Sequence, residues 1–569
     1  SNIYDETQAI RASVRADPFD GILVLDFNYE GISREFRIYN QVESFSLVEP
    51  TAGASPTLIT AKDRLGVGAI PTLSDQNHKI YNWQAQLNLF GQSLTYVGAY
   101  TDSTTFVDRS EDFAGIFGNV RVGNLQFSQD TLSRNKQEVH EIRLQNQERL
   151  FGLFDYVAGY MQIEGDSPTL FYGNTGIAVP TATPPFGSLA AVIHTGRQRF
   201  RQDKETSFFG NLTLHLGEST EISGGVRRIK FKADSGLFVD TTGANRGTDF
   251  DAWTEIATLR RCFGDSSIPG CEPAKKATIY SLSAKHNFTS DLMAYASYGT
   301  SFRPGNSIIG YLGEAGDYLS QFLNLDDEKS KSYEVGIKSA WLNNRLRFNV
   351  SGFYQEFTNY PFRMNSPVFS VNQTAPATLV TPFNFVAPVN AKIKGIEADL
   401  AFDVSRNFNL MATVSFADGK IKNGVFPCVD LNNDNVPDIG APTAEALFAK
   451  VGSNQVDTCI GDGSPGSSAR WQGSVFGEYA QEIGFGSEAF LRGLVSWKGN
   501  SRGEGLNPYD SVKAYGLVDL FAGLRAPDGG WDLTLYVKNV LDTNRVLTRS
   551  DAPQSTPLRV AFPGALAST

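Results

Sequence analysis

The sequence predicts an all-β fold, a transmembrane antiparallel β-barrel of the class with about 22 strands, extending over residues 1–569. Three observations lead to this prediction. Apolar and polar residues alternate with a period of two, the alternating segments are long, and the connections between them are alternately tight and extended. Each feature is typical of barrels that cross a membrane with strands.

Strand periodicity is the first of these observations. Every second residue of a strand faces the same side, so alternation gives one apolar and one polar face. The alternating segments extend to roughly 10 to 14 residues, and a tilted strand needs about 9 to 11 residues to cross a bilayer. Strands of globular proteins have about five or six. The clearest examples lie at 81–89, 333–341, 396–402 and 531–538.

Tight turns alternate with long polar loops along the chain, as at the two rims of a membrane barrel. Nine tight turns predict nine hairpins and about eighteen strands, with 558–562 as a short nineteenth. We therefore expect a barrel that is incomplete on its N-terminal side, and at its last strand if 558–562 forms none. We also expect an N-terminal plug that is not present in this chain, and no signal peptide begins at Ser1. The tight turns are predicted at 17–20, 90–91, 147–149, 217–218, 288–290, 343–344, 404–406, 482–484 and 527–530, and the long loops at 41–77, 102–135, 165–202, 234–275, 301–327, 359–389, 422–468 and 498–509.

Composition argues against two classes of protein. The net charge of −11 at pH 7 argues against a nucleic-acid partner, since such proteins usually carry a basic stripe. Hydrophobic residues make up 41% of the chain, but no apolar run approaches the roughly 20 residues of a membrane-spanning helix. The 40 Phe, 21 Tyr and 54 Gly residues favour strands and turns instead.

The four cysteines form two pairs that are local in sequence, Cys262 with Cys271 and Cys428 with Cys459. Neither pair has the spacing of a redox or zinc motif, and no histidine lies near them. We therefore predict two disulfides, which place the chain in an oxidising compartment. The alternative is four unrelated free thiols.

A candidate calcium loop follows Cys428. Asp430, Asn432, Asp434 and Asp438 place oxygen ligands at positions one, three, five and nine of the segment 430–438, a spacing that resembles a calcium loop. The EF-hand pattern is incomplete, because Asn435 replaces the usual glycine and Ala441 stands at the position of the final glutamate. The alternatives are a bound Ca²⁺ and a solvated acidic loop.

No catalytic constellation is found, so we predict that the chain is not an enzyme. His140 and Glu141 begin a zinc-protease motif, but Leu144 stands at the position of the second histidine. A Gly-x-Gly-x-x-Gly spacing at 461–466 contains a proline and is interpreted as a loop tip. Arg303 has two interpretations, a contact to an anionic ligand or an ion pair at the base of a loop.

Six segments, in order along the chain, are similar to the barrel of TonB-dependent receptors of the sphingomonad-like type. Each motif is weak alone, but the six together extend from about residue 137 to residue 542. They are Glu141-Ile142-Arg143-Leu144 with Tyr156-Val157-Ala158-Gly159-Tyr160; Phe209-Gly210-Asn211 with Gly224-Gly225-Val226-Arg227; Tyr295-Ala296-Ser297-Tyr298 with Phe302-Arg303-Pro304; Glu328-Lys329-Ser330 with Tyr333-Glu334-Val335-Gly336-Ile337-Lys338; Lys394-Gly395-Ile396-Glu397; and Val537-Lys538-Asn539-Val540-Leu541-Asp542.

The resemblance implies active uptake of a scarce solute across the bacterial outer membrane. The cargo would be a ferric siderophore, haem, a vitamin or an oligosaccharide. The implied partners are the small-molecule ligand, the TonB complex acting through a plug outside this chain, and the lipid and lipopolysaccharide of the membrane. One alternative is a passive porin with an open channel. A barrel enzyme or adhesin is another, although neither a catalytic cluster nor a dedicated binding domain is found.

Overall fold

The computed structural model describes residues 3–39, 42–44, 62–64, 71–110, 128–180, 187–240, 258–262, 274–305, 317–363, 368–374, 377–383, 385–438, 442–466, 468–484, 486–501, 512–545 and 566–568. Almost all secondary structure in these residues is β-strand, as the sequence predicts. In chain order the strands are β1 (Tyr4–Ala16), β2 (Leu23–Ile38), β3 (Val42–Ser44), β4 (Thr72–Leu89), β5 (Gln92–Ser110), β6 (Ser128–Asn146), β7 (Phe154–Asp166), β8 (Thr169–Pro180), β9 (Gly187–Leu216), β10 (Thr220–Asp240), β11 (Thr258–Cys262), β12 (Lys275–Thr289), β13 (Leu292–Arg303), β14 (Glu328–Trp341), β15 (Leu346–Arg363), β16 (Val368–Thr374), β17 (Ala377–Phe383), β18 (Val386–Asp403), β19 (Phe408–Cys428), β20 (Asp457–Gly463), β21 (Trp471–Gly484), β22 (Ser487–Lys498), β23 (Tyr515–Arg525), β24 (Asp532–Val537) and β25 (Leu566–Ser568), and the helices are α1 (Asp317–Ser320) and α2 (Ala444–Val451).

One antiparallel sheet of 21 strands dominates the described residues. Three of its strands, β8, β11 and β20, lie within long connections, which leaves eighteen that pair in chain order from β1 to β24. This number agrees with the count from nine tight turns. The described residues show no pairing between β1 and β24. The segment 558–562 lies outside the described residues, and β25 pairs with β3 in a separate small sheet.

The nine predicted tight turns all lie at or directly beside a connection between consecutive strands, although residues 482–484 form the end of β21 and precede the turn itself. Between β4 and β5 the connection is the two residues Phe90 and Gly91, with φ of 54° and 70°. A two-residue hairpin of this kind requires positive φ at both positions, which glycine adopts without strain. Short connections of this type fix the register of each hairpin, so the polar and apolar faces continue from strand to strand.

The strands extend much further into the predicted long loops than alternation indicated. β9 has 30 residues and β10 has 21, and β16, β17, β20 and both helices lie entirely within predicted loops. The predicted lengths of these loops were therefore wrong, and the reason is physical. Where a strand projects beyond the membrane both of its faces contact water, so the apolar-polar alternation disappears although the backbone ladder continues.

The two faces of the large sheet differ in chemistry. On β14, Val335 and Ile337 are 62% and 46% exposed on one face, whereas Glu334 and Lys338 lie on the other. Two rows of tyrosines border the apolar face toward the long connections, with ring centroids 5.0 to 6.3 Å apart. Aromatic girdles of this kind mark the edges of a membrane. The rows are Tyr29–Tyr81–Tyr100 and Tyr298–Tyr333–Tyr354.

No helix in the described ranges has the length and apolar character needed to span a membrane.

Candidate functional site

The polar face of strands β14 to β21 forms a continuous wall, called here the lumen wall. Lys338, Asn349, Asp399, Thr413 and Ser474 stand directly opposite one another on successive strands. Asn349 Nδ2 donates to Asp399 Oδ2 at 2.9 Å, and the hydroxyl groups of Thr413 and Ser474 are 2.8 Å apart. The wall therefore presents a row of charged and neutral hydrogen-bonding groups to the interior.

A recess of about 530 Å³ lies against the lumen wall, lined among others by Tyr295, Lys338 and Lys498. The ring of Tyr295 covers Gly336, where a Cβ atom would lie only 2.5 Å from the ring. Its hydroxyl donates to Glu334. Glycine at this position therefore lets an aromatic side chain lie flat on the wall, and the recess combines an aromatic face with side chains of both charges.

A compact ion network holds the lumen wall near the tight turn between β21 and β22. Glu478 is 7% exposed, and its two carboxylate oxygens accept hydrogen bonds from Arg492 and Arg525, the latter at 2.8 Å. Arg525 Nε also donates to Glu488 at 2.6 Å. Both guanidinium groups lie over the Phe490 ring, at 4.1 and 5.2 Å from its centroid. Every charged group in this network therefore has an opposite charge beside it.

Three long connections meet at the opposite end of the sheet and bury a common apolar core. We call this unit the external cap; it comprises the described residues of 317–325, 368–391 and 421–463. The core of a globular protein forms in the same way, with each large side chain contributing about 1.5 to 3 kcal/mol on burial. The core residues are Leu319, Phe322, Leu323, Val368, Phe385, Ala387, Val389, Ala391, Ile421, Phe426 and Val456.

Polar contacts also join the three connections of the external cap. Gln455 joins all three, because its side chain accepts a hydrogen bond from the Leu319 N–H and its backbone carbonyl accepts one from the Val371 N–H, both at 3.1 Å. The Tyr360 hydroxyl donates to the Pro465 carbonyl at 2.9 Å. These bonds satisfy buried groups between separate loops, so the cap is one packed unit.

The predicted disulfide between Cys428 and Cys459 is present and joins the end of β19 to β20, with the two Cα atoms 5.8 Å apart. Both cysteines are buried. The predicted pair of Cys262 and Cys271 cannot be placed in the same way, because Cys271 lies outside the described residues. That second disulfide stays a prediction.

The candidate calcium loop folds back on its own backbone. Asp430 is 3% exposed, and its carboxylate accepts hydrogen bonds from the backbone N–H groups of Asp434, at 3.1 Å, and Asn435, at 2.9 Å. Asn432 Oδ1 accepts from the same Asp434 N–H at 3.1 Å. Three of the predicted ligand residues therefore meet in one turn.

The fourth predicted ligand, Asp438, accepts a hydrogen bond from the Leu431 N–H at 2.8 Å and closes the loop. Lys450 of α2 donates to the Asp430 carbonyl at 2.7 Å and lies 3.9 Å from Asp457. The loop thus already holds one cation, the lysine ammonium. Within the described ranges, no group of three or more His, Cys, Asp or Glu side chains is arranged to hold a metal ion. Calcium binding stays a prediction.

Other singled-out residues have structural partners. Arg303 pairs with Glu328, which confirms its interpretation as an ion pair at the base of a loop. His215 is buried near a tight turn, with Nε2 2.6 Å from Asp155 Oδ2. The residues 461–463, predicted as a loop tip, lie instead in β20. Glycine tolerates both settings, so its spacing alone could not distinguish them.

The core of the external cap was not predicted from the sequence. One signal was present: Leu319, Phe322 and Leu323 have the i, i+3, i+4 spacing of an apolar helical face. Short helices in long loops are difficult to identify, because their partners lie far away in sequence. The partners here are Phe385 and Val456.

The family of the chain is shown by its match to a model described as TonB dependent receptor-like, beta-barrel, over residues 17–540. The chain belongs to the TonB-dependent receptors. The barrel fold predicted from the sequence is therefore confirmed, and the protein lies in the bacterial outer membrane. The sphingomonad-like subtype stays a prediction.

Solved structures of outer-membrane receptors have the same fold. The ferric yersiniabactin uptake receptor FyuA of Yersinia pestis is 12% identical with a TM-score of 0.63, over 99% of this chain and 68% of that one. The ferric-catecholate import receptor Fiu of E. coli K12 is 13% identical with a TM-score of 0.63, over 96% and 71%. The siderophore receptor PiuA of Acinetobacter baumannii is 14% identical with a TM-score of 0.61, over 99% and 72%.

Membership of this family assigns the barrel to TonB-dependent active uptake across the outer membrane. TonB-dependent receptors bind small-molecule ligands and interact with TonB, and the family consists of transport receptors. The passive-porin alternative has no support from these matches.

Proposed function

We propose that this TonB-dependent receptor takes up a ferric siderophore. The observation that carries the proposal is the external cap, a packed unit of three loops beside a polar lumen wall. A ferric siderophore is a bulky, polar chelate that is scarce outside the cell. Its capture requires a preformed binding surface outside the membrane and a wide, hydrogen-bonding interior.

The internal core of the cap favours tight capture on thermodynamic grounds. Fixing one residue of a flexible loop costs about 1 to 2 kcal/mol of conformational entropy, and this cost reduces affinity when loops become ordered on binding. Here the core around Phe322 and Phe385 and the Cys428–Cys459 disulfide have already ordered the loops. More of the interaction energy is then available for binding the ligand.

The similar structures support the same substrate class. FyuA, Fiu and PiuA are described as receptors for ferric yersiniabactin, ferric catecholates and siderophores. At 12 to 14% identity the likeness establishes only the shared fold, so the iron-chelate substrate is our inference.

An uptake assay tests the proposal. A strain that lacks the gene is compared with one complemented by the whole receptor, using radioactive iron bound to catecholate, hydroxamate and phenolate siderophores. We expect one class to be taken up only by the complemented strain, and a protonophore to abolish this uptake because energy comes through TonB. Uptake of a vitamin or an oligosaccharide by the complemented strain, with no transport of any ferric siderophore, would contradict the proposed substrate class. It would leave the family assignment intact.

A further inference from the structure

Three arginines follow one another on the same face of β9. Arg197, Arg199 and Arg201 occupy alternate positions of this strand, so their side chains project to the same side, roughly 7 Å apart along the strand. The ladder between β9 and β10 continues from Leu216 to Gly196 without a bulge, and the alternation of faces is therefore preserved over this length. We call these three residues the arginine column.

The arginine column faces the lumen at the external mouth of the barrel. Phe208 and Leu212 of β9 are 67% and 50% exposed and belong to the lipid-facing apolar band. They stand at even-numbered positions, so the column lies on the opposite, inward face. Lys204 is level with Tyr100 of the aromatic girdle through the ladders of β5, β6, β7 and β9, and Arg201 lies three residues further out. The column therefore contacts the aqueous mouth and not the lipid.

The residues beside the outer end of the column carry no charge. In the ladder with β8, Arg197 stands opposite Phe171, and Arg199 stands opposite Thr169. The Arg197 guanidinium lies 5.7 Å from the centroid of the Phe171 ring. This end of the column therefore combines guanidinium groups with an aromatic ring and a hydroxyl group, while the chain as a whole has a net charge of −11.

The number of successive cations distinguishes the arginine column from other inward-facing cations. Arg303 of β13, also at the mouth, is a single cation that pairs with Glu328. Among the inward faces of the described strands, only that of β9 carries three cations at successive positions. Asp203 continues this face toward the membrane and lies 3.7 Å from Arg201. Positive charge is therefore concentrated at the outer end of the column, where a solute arrives.

We propose that the arginine column is an external binding site for an anionic ferric chelate, an inference that rests on the proposed uptake of a ferric siderophore. Guanidinium groups bind carboxylate and phenolate oxygens through charge-assisted hydrogen bonds, which are often bidentate. A mouth lined by one sign of charge also attracts ligands of the opposite sign and accelerates their association. A neutral chelate gains neither advantage, so the column selects by charge.

The test uses the whole receptor in neutral detergent, with chelate binding measured by quenching of tryptophan fluorescence. The probes are two anionic chelates, ferric tricatecholate and ferric citrate, and a neutral ferric trihydroxamate. The Arg197→Gln/Arg199→Gln variant removes two charges from the column. The matched control Lys230→Gln/Lys232→Gln removes two exposed charges from the outward face of the neighbouring strand β10. Folding of each variant is checked by its heat-dependent shift on a gel.

We expect the unmodified receptor to bind at least one anionic chelate more tightly than the neutral one. Affinity for that chelate should fall about tenfold or more in the column variant and less than about twofold in the control. Raising the ionic strength should weaken binding to the unmodified receptor more than binding to the column variant.

Equal affinity or equal salt dependence of the folded column variant and the unmodified receptor would overturn the inference. Preferential binding of the neutral trihydroxamate would also overturn it, and would leave the proposed uptake of a ferric siderophore intact. Binding of none of the three chelates would contradict the inference and count against the proposed function as well.

Discussion

The side chains of Asp108 and Asp130 lie directly opposite each other on β5 and β6 and share a hydrogen bond. Both residues lie beyond the Tyr100 girdle, in the part of the strands that projects from the membrane. Burial raises the pKa of Asp130 to about 6, and the charge of Asp108 and the shared hydrogen bond raise it as well. Burial also raises the pKa of Asp108. The pair therefore keeps a proton where isolated carboxyl groups have lost theirs.

This carboxyl pair predicts a pH-dependent stability. The pKa of Asp130 in the folded state lies above its unfolded value of about 3.9, so the folded state binds more protons between about pH 4 and pH 6. The free energy of unfolding is therefore highest below this window and falls as the pH rises through it. Asp130→Asn, which removes the charge, should raise the free energy of unfolding by about 1 to 2 kcal/mol at pH 7.5 and leave it unchanged near pH 4. Urea titrations in detergent at the two pH values measure the difference.

A second aspartate on β5 provides the control for this prediction. Asp102 pairs with Arg134 at 2.8 Å, with both side chains partly exposed. Asp102→Asn should lower the free energy of unfolding at pH 7.5 by less than about 1 kcal/mol, the usual value of a partly exposed ion pair. Stabilisation by Asp102→Asn, or destabilisation by Asp130→Asn at pH 7.5, would show that the proton-sharing account is wrong.

The buried carboxylate of Glu478 should be essential to the ion network on the lumen wall. Glu478→Gln leaves Arg492 and Arg525 without their shared anion, and removal of one partner from a buried ion pair costs about 3 to 5 kcal/mol. Because each arginine side chain is 28% exposed, we expect about 2 kcal/mol. Glu488→Gln, at a more exposed carboxylate that contacts Arg525 alone, should cost less than half as much. Equal effects of the two substitutions in urea unfolding would contradict the assigned central role of Glu478.

The Cys428–Cys459 disulfide should stabilise the external cap without affecting the membrane strands. The two cysteines are separated by 31 residues in sequence, and closing a loop of this size stabilises the folded state by about 3 to 4 kcal/mol. In the Cys428→Ser/Cys459→Ser variant we expect faster amide hydrogen exchange in α2 and β20 and unchanged exchange in β14 and β15. Uniformly faster exchange in all four elements would show that cap and barrel unfold together.

The segment 430–438 should bind Ca²⁺ with a dissociation constant of about 0.1 to 1 mM, the range of extracellular calcium modules. Isothermal titration of the chelator-treated protein measures this binding. Asp434→Asn/Asp438→Asn should abolish it, because both carboxylates lie at the exposed side of the loop. Asp462→Asn is the matched control, since the Lys422 ammonium binds that carboxylate and holds its pKa below the ordinary value. If no heat of binding is measured up to 10 mM Ca²⁺, on the order of ten times the upper expected dissociation constant, the prediction is wrong. The loop then binds the Lys450 ammonium and not Ca²⁺.

The turns and the membrane-crossing parts of the strands could be predicted because their signals are local. A glycine or asparagine in the left-handed region, as at Gly91 and Asn343, specifies a tight turn within a few residues. Alternation of Val335 and Ile337 with Glu334 and Lys338 requires only that one side of a strand contacts lipid and the other water. The disulfide between Cys428 and Cys459 could be predicted for the same reason, because the two cysteines are close in sequence and no other cysteine lies near them.

The external cap and the facing lysines of β10 and β12 could not be predicted in this way, because both consist of residues that approach one another only after folding. Phe322, Phe385 and Val456 come from three separate connections, and loop sequence alone does not show which connections pack together. Lys230 and Lys276 become neighbours through the register of β10 and β12, across a long connection between the two strands.

The amino-acid sequence by itself determined a membrane barrel of two-faced strands with nine tight turns, since each strand must satisfy lipid and water separately and each hairpin closes within a few residues. The tertiary structure decided which loops share a core, which carboxylates share a proton and which cations face each other. Strand register and loop packing set these contacts, and both depend on residues far apart in the chain.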